Sequence, residues 1–202
     1  MIRLETARLT LRPLEASDAP FTLALLNDPD YVRFIGDKGA RDLDAARRYI
    51  EQGPQRMYAE HGVGLLAVEL QSNGAPIGMC GLLRRPLLAD VDLGFALLPP
   101  YRSRGYALEA SRAVLEHGRQ SLGLRRVVAI VDTKNRHSIV LLKRLGMERV
   151  ESMRLPSDPA ELDLYAVDLG ASLVAAAPLA AEQQQRKPGE DHANREPLVG
   201  TD

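Results

Sequence analysis

The chain has no tryptophan, one cysteine in 202 residues and only four lysines. Cys80 has no second thiol for an intramolecular disulfide and cannot alone supply a cysteine-rich metal cluster, so a reducing, intracellular setting is expected. No apolar run approaches the ~18 residues needed to cross a bilayer. The opening Met1-Ile2-Arg3-Leu4-Glu5-Thr6 also lacks the apolar centre of a signal peptide, so a cytoplasmic protein without a membrane partner is expected. An excess of one charge is missing as well. Lys and Arg number 26 against 27 Asp and Glu, a formal −1, which provides no global positive field for coating nucleic acid. No nucleic-acid partner is expected. His61, His117, His137 and His192 share no ligand spacing, so no metal is expected either.

What is present is a 45% hydrophobic composition, enough for one domain with a sizeable core. All nine aromatic residues fall between Phe21 and Tyr165, and almost no large apolar residue follows Leu179. Residues 1–170 are therefore read as the folded domain and 171–202 as a mostly disordered extension, because that composition cannot offset its ordering entropy. Of the 26 basic residues, 22 are arginine, whose planar fork pairs bidentately with phosphate and carboxylate.

Alternation in Leu9-Thr10-Leu11-Arg12 predicts a first strand closed by Pro13, and Ser17-Asp18 with Pro20 opens a helix. A second helix follows Asp42 and is interrupted at Gly53-Pro54. Apolar runs at 63–70 and 77–83 joined by Ser72-Asn73-Gly74 predict a hairpin, and a third run at 91–98 extends the meander to Pro99-Pro100. Helical spacing resumes after Gly105. A β-branched run at 127–131 predicts a central strand, Asn135 caps a further helix, and strands at 147–153 and 162–168 end the domain. The order β α α β β β α β α β β predicts a single α/β (α+β) domain with about four helices.

The segment Pro99-Pro100-Tyr101-Arg102-Ser103-Arg104-Gly105-Tyr106-Ala107 leads from a strand into a helix. Such a glycine-containing turn leaves backbone N–H groups unpaired at the positive end of a helix dipole, which suits a phosphate or pyrophosphate. Arg102 and Arg104 would add charge-assisted contacts. No Gly-Lys-Ser/Thr follows, which excludes a Walker A loop, and no Gly-x-Gly-x-x-Gly is present, which excludes a dinucleotide fingerprint. A basic, solvated turn remains the alternative for this segment alone. An RNA-binding use of Tyr101–Tyr106 would need a second stacking platform, which the sequence does not offer.

Arg102-Ser103-Arg104-Gly105-Tyr106-Ala107 resembles the Q/R-x-x-G-x-G/A signature of the GNAT superfamily of acyl-CoA-dependent N-acetyltransferases. Asp92-Leu93-Gly94-Phe95-Ala96-Leu97 is similar to the strand before that loop, and Glu109-Ala110 to the helix after it. Asn135-Arg136-His137-Ser138 with Leu145-Gly146-Met147 is similar to its N-x-x-S and L-G-F block. The opening Glu5-Thr6-Ala7-Arg8-Leu9-Thr10-Leu11-Arg12-Pro13 resembles the branch of ribosomal-protein N-terminal acetyltransferases.

The resemblance implies a mostly antiparallel sheet splayed between its fourth and fifth strands, with acetyl-CoA in the cleft as co-substrate and no metal. It implies that Phe95, Ala96, Leu97 and Leu98 hold the pantetheine arm and the thioester carbonyl through their backbone, that the 102–107 loop grips the pyrophosphate, and that Asn135 holds the pantetheine or the strand. Asp92 stands where some members carry a glutamate that takes the amine proton. Ser138 is similar in position to a serine proposed as acid toward the leaving thiolate, while a tyrosine that many members use is Leu142 here. Both positions have structural alternatives: a solubilising strand carboxylate for Asp92, and a first-turn serine bonded to its own backbone for Ser138. Arg33, Phe34 and Asp37 lie where members build the acceptor pocket, and Tyr165 is a further candidate acid. Glu109 reads as a helix-start dipole partner or an ion-pair partner of an arginine, and Cys80 as a small core residue.

The expected reaction is direct attack of a primary amine on acetyl-CoA in a ternary complex. A protein or peptide N-terminus, an amino acid and a small amine all remain open as acceptors. At pH 7 an α-amine costs ~1.4 kcal/mol to deprotonate and a lysine ~4.6 kcal/mol, which favours α-amines. A noncatalytic acyl-CoA sensor is the rival reading, and monomer and homodimer are both compatible with the sequence.

Overall fold

A computed structural model describes residues 2–155 and 158–170. The expected disordered extension at 171–202 lies outside the described residues. Among the described residues, eight strands form one sheet in the order β1-β2-β3-β4-β5-β6-β8-β7. They are β1 (Leu4–Glu5), β2 (Leu9–Pro13), β3 (Leu65–Leu70), β4 (Pro76–Leu83), β5 (Val91–Leu97), β6 (Arg126–Asp132), β7 (Glu148–Leu155) and β8 (Asp158–Asp168). Every neighbouring pair is antiparallel except β5 and β6. The β3–β4 hairpin turns at Asn73-Gly74 as the dipeptide requires, with the Gly74 N–H bonded to Leu70 O at 2.8 Å.

Among the described residues, six α-helices accompany the sheet: α1 (Ala19–Leu26), α2 (Pro29–Ile35), α3 (Leu43–Ile50), α4 (Arg56–His61), α5 (Tyr106–Gln120) and α6 (Arg136–Arg144). The expectation of about four missed α2 and α4. Asp28 caps α2 by accepting from the Tyr31 N–H at 3.1 Å, and Pro29 occupies its first position. Gly53-Pro54 does not end the second predicted helix. Proline lacks an N–H and crowds the carbonyl four residues back. The chain meets this by widening into a π turn over Glu51–Gln55, where the Arg56 N–H reaches Glu51 O, and it continues as α4.

The sheet is covered on both faces. In β4, Met79 packs in the cluster that holds Leu25, Tyr31 and Ile50 of α1–α3, whereas the next residue, Cys80, faces Ser111 of α5 with Sγ 3.6 Å from Oγ. Successive side chains of a strand point to opposite faces, so this central strand is apolar throughout rather than alternating. Burial pushes the Cys80 thiol up to about 12, so it stays protonated at neutral pH. Among the described residues, no helix is long and apolar enough to cross a membrane.

At the start of the sheet, Arg12 of β2 forks onto Asp18, with Nη1 to Oδ2 at 2.7 Å and Nη2 to Oδ1 at 2.8 Å, and Nη2 also meets Glu69 of β3 at 2.6 Å. Asp18 is nearly fully buried and also accepts the Glu15 N–H, so this network fixes where α1 leaves the sheet. Arg12→Met would strand a buried carboxylate; a loss of about 3 kcal/mol is expected in urea unfolding, with Arg12→Lys recovering only part of it.

Candidate active site

β5 and β6 run parallel but pair at only two positions, Val91 with Val127 and Asp92 with Val128. Beyond these the strands part, which is the splay expected between the fourth and fifth predicted strands, the unpredicted strand Leu4–Glu5 having moved the count by one. Leu98 donates its N–H to Ile77 O of β4, and Leu97 O instead accepts from Arg102. The strand period of two therefore turns the N–H and C=O of Phe95 toward the open side.

Two cavities occupy the opening. One, about 540 Å³, reaches from Phe95, Ala96 and Leu97 to Arg102, Ser103, Gly105, Tyr106 and Ala107, with Asn135, His137 and Arg144 across from them. The other, about 320 Å³, lies over Tyr31, Tyr49, Met57, Met79, Arg85 and Asp92. They meet along Phe34, Phe95, Ala96, Asn135 and Ser138, which line both.

The loop between β5 and α5 is shaped by two left-handed residues, Ser103 at φ +58° and Gly105 at φ +82°. Glu109 N–H makes the first bond of α5, to Gly105 O at 3.0 Å. The N–H groups of Tyr106, Ala107 and Leu108 are left without helical partners at this end. A Cβ added at Gly105 would meet Arg8 Nη2 at 3.4 Å, on the N-terminal segment, so the glycine is needed for its φ rather than for room in the cleft. Arg8 braces this turn. Its guanidinium lies 4.4 Å from the Tyr106 ring centroid, donates to Arg104 O at 3.2 Å, and pairs with Glu109 at 2.6 Å. Glu109 thus has the arginine partner expected of it. Burial raises its carboxyl, but hydrogen bonds from Thr6 and Arg8 outweigh that and hold it below the ordinary range.

Arg102 lines the cleft, yet its fork is already committed. Nε bonds Leu97 O at 2.9 Å, Nη1 bonds Asp30 at 2.7 Å and Nη2 bonds Asp28, so it ties the loop to the start of α2. Arg104 and Leu98 are not among the residues lining the cleft. The cationic side chain that sequence reasoning missed there is Arg144, on the last turn of α6.

Asn135 accepts the Ser138 N–H at 3.1 Å and caps α6 as expected. Ser138 Oγ has no protein partner among the described residues and lies where the cavities join. Asp92 is almost completely buried. Its Oδ2 takes Arg85 Nε at 2.5 Å, and its Oδ1 takes the Ile130 N–H at 3.3 Å, just past the last β5–β6 pair. Burial raises its pKa against the opposing effect of Arg85. Two of its four lone-pair positions remain open.

Of the three residues assigned to an acceptor pocket, only Phe34 lines the cavities. Arg33 stacks on the Phe34 ring at 4.8 Å. Asp37 is exposed and bound to Arg41, whose hydrogen bond lowers its carboxyl to about 2. Tyr165 is buried in β8 and lines neither cavity. Tyr49, Lys38 and Arg85 were missed. Among the described residues, no group of three or more His, Cys, Asp or Glu is placed to hold a metal ion.

The family described as acetyltransferase (GNAT) domain matches residues 8–148. Bacillus subtilis YnaD, which bears the name uncharacterized N-acetyltransferase, is 36% identical over 148 residues, 73% of this chain and 84% of its own length. The crystal structure of an acetyltransferase from Agrobacterium tumefaciens superposes with a TM-score of 0.70 at 30% identity, covering 83% of this chain and 94% of that one. The Salmonella typhimurium acetyl transferase that modifies the N-terminal serine of ribosomal protein L7/L12 has the same fold, with a TM-score of 0.70, 16% identity, and coverage of 83% and 99%. The chain belongs to the GNAT acetyltransferase family and is an acyltransferase.

Proposed function

We propose that the protein transfers an acetyl group from acetyl-CoA to a primary amine by direct attack within a ternary complex. The observation that carries this reading is the junction of two cavities at Phe95, Ala96, Asn135 and Ser138, with the anion-binding turn at the far end of one and a buried carboxylate in the other. Acetyl-CoA, the co-substrate of this family, supplies the acyl thioester. The N–H groups of Tyr106, Ala107 and Leu108 receive its diphosphate, with Arg144 nearby, and the Phe95 backbone orients the pantetheine arm and offsets negative charge gathering on the thioester oxygen.

In the second cavity Asp92 accepts the proton of the incoming ammonium, directly or through one water. The neutral amine forms an N–C bond as the C–S bond breaks, and the second proton of the original ammonium leaves the new amide nitrogen for solvent. Ser138 Oγ, at the junction, donates to the departing sulfur and is reprotonated from solvent. A thiol with pKa about 8.5 is already a good leaving group, so the base matters more than the acid. Burial of Asp92 makes it a stronger base than an exposed aspartate.

The reading is tested by following thiol release from acetyl-CoA across a panel of amines and peptides, with mass spectrometry of the N-acetyl product. Absence of both acetyl-CoA binding and release would sink it. Asp92→Asn is expected to lower kcat by about 10²–10⁴ while the Kd for acetyl-CoA stays within about twofold. Because Asp92 is active only when deprotonated and its pKa is raised, kcat of the wild type should rise with pH through a value above the ordinary carboxylate range near 4, and the Asn variant should lose that limb.

Ser103 offers a separate check on the loop. Ser103→Val forces a β-branched residue to φ +58°; unfolding measurements should show a loss of about 1–2 kcal/mol together with a higher KM for acetyl-CoA, whereas Ser103→Gly should be close to neutral.

A further inference from the structure

The second cavity carries its own account of what it accepts. Its lining is largely apolar and aromatic, with Tyr31, Phe34 and Ile35 of α2, Met57 of α4, and Met79 and Leu93 of the sheet. The charged side chains on it are Lys38 and Arg85 against Asp92 and Asp132, two of each sign. There is no surplus of negative charge to draw in a polyamine, an aminoglycoside or a lysine-rich segment.

Its polar groups gather on one side. Tyr31 and Tyr49 both line it, and both feel the charge of Arg85. Burial raises both phenols, so they remain protonated. A protonated phenol beside Arg85 has a hydroxyl proton to donate. Arg85 spends only Nε on Asp92. Its Nη1 and Nη2 have no partner among the described residues, although the side chain is 39% exposed and lines the cavity. A guanidinium with its outer edge free, beside a spare phenolic proton, is a fork for a carboxylate.

We infer that the acceptor is a free α-amino acid with an apolar side chain, whose carboxylate is received by the Nη1 and Nη2 groups of Arg85. Two features beyond the fork single out this class. First, Arg85 holds Asp92 on Nε, so a carboxylate on the neighbouring edge places an α-amine, two bonds away from the carboxyl carbon, within reach of Asp92. The site pair, cation beside anion, is complementary to a zwitterion. Second, a carboxylate makes the α-ammonium of a free amino acid harder to deprotonate than that of a peptide. Pairing the carboxylate with Arg85 removes part of that penalty where the proton must be lost. A cavity of about 320 Å³ has room for one such molecule, and its apolar wall accommodates a side chain of leucine, methionine or phenylalanine size.

This inference rests on the reading of this cavity as the acceptor side of the acetyltransferase, and the test separates the two. Wild-type protein is assayed with L-leucine, L-methionine and L-phenylalanine, with the primary amide of each, with phenethylamine, and with short peptides beginning with the same residues. In parallel, calorimetry measures binding of each acid and amide to protein saturated with CoA, which has no acyl group to transfer. At least one acid should exceed its own amide by tenfold or more in both kcat/KM and affinity. Arg85→Gln should bring that ratio to near one, and Arg85→Lys should restore part of it. Because the ratio compares two substrates of one enzyme, an effect of Arg85 on Asp92 cancels from it.

Amides or peptides that bind and react as well as the acids would overturn the inference and assign a peptide N-terminus instead, while leaving the acetyltransferase reading intact. So would a ratio unchanged in Arg85→Gln. Failure of every acid to bind the CoA-saturated protein overturns it too, even if no acceptor in the panel turns over. If Arg85→Gln does not fold, the wild-type acid-to-amide ratio alone decides.

Discussion

The parallel contact between β5 and β6 ends after two residue pairs, and the usefulness of the structure depends on that early end. A sheet continues to zip wherever backbone donors and acceptors can reach one another, since each buried group left without a partner costs about 1–3 kcal/mol. Here the zipper is stopped by a side chain. Asp92 sits at the last pair and accepts the Ile130 N–H, replacing the next backbone bond with a carboxylate contact. From that point the Phe95 amide is turned toward a cavity where a ligand or water can satisfy it. A residue read as a base is therefore also the wedge that makes the cleft. A substitution at Asp92 must be judged on both.

Arginine carries most of the long-range bracing. Arg12 joins β2 to the entry of α1 and to β3, Arg8 joins the N-terminal segment to the first turn of α5, and Arg102 joins the loop after β5 to α2. Each uses three or more donors at once on groups from different segments, which the single ammonium of lysine cannot arrange in a plane. The arginine bias that composition alone could assign to nothing in particular has this structural use. It also alters the electrostatics first expected of the loop: Arg102 arrives with its charge balanced by Asp28 and Asp30, so the positive potential left uncompensated on this side of the cleft comes from backbone N–H groups and Arg144.

Elements whose signal lies in adjacent residues were legible in the sequence. The Asn73-Gly74 hairpin, the Asn135 cap of α6 and the turn into α5 all follow from local backbone preferences. The splay and the family were legible through the loop motif and its neighbours in order. Other features were hidden because their causes are not local. The carboxylate partners of Arg102 lie more than seventy residues away, and Arg85 and Tyr49 come to line one cavity only once the segment after β4 and α3 are packed. The helix continues through Gly53-Pro54 by way of a π turn, with Ile50 and Pro54 both buried. Only α2 had a signal that went unread, in Asp28-Pro29. Asp37 was misplaced for the opposite reason: its carboxylate is satisfied locally by Arg41 and has no need of the cleft.

The attachment of α2 has a consequence for how such a protein diversifies. The helix contributes Tyr31, Phe34 and Ile35 to the second cavity, and it is fixed in its first half, where Asp28 and Asp30 meet Arg102 and Tyr31 is buried in the core. It ends at Gly36, at φ +101°, followed by Gly39 at φ +69°, both with open space around them. Insertions, deletions and exchanges in that stretch can accumulate over generations and redraw this wall of the second cavity, while the turn on the other side of Arg102 keeps its shape. Descendants of one ancestral fold can in this way trade acceptors without relearning how to hold their acyl donor.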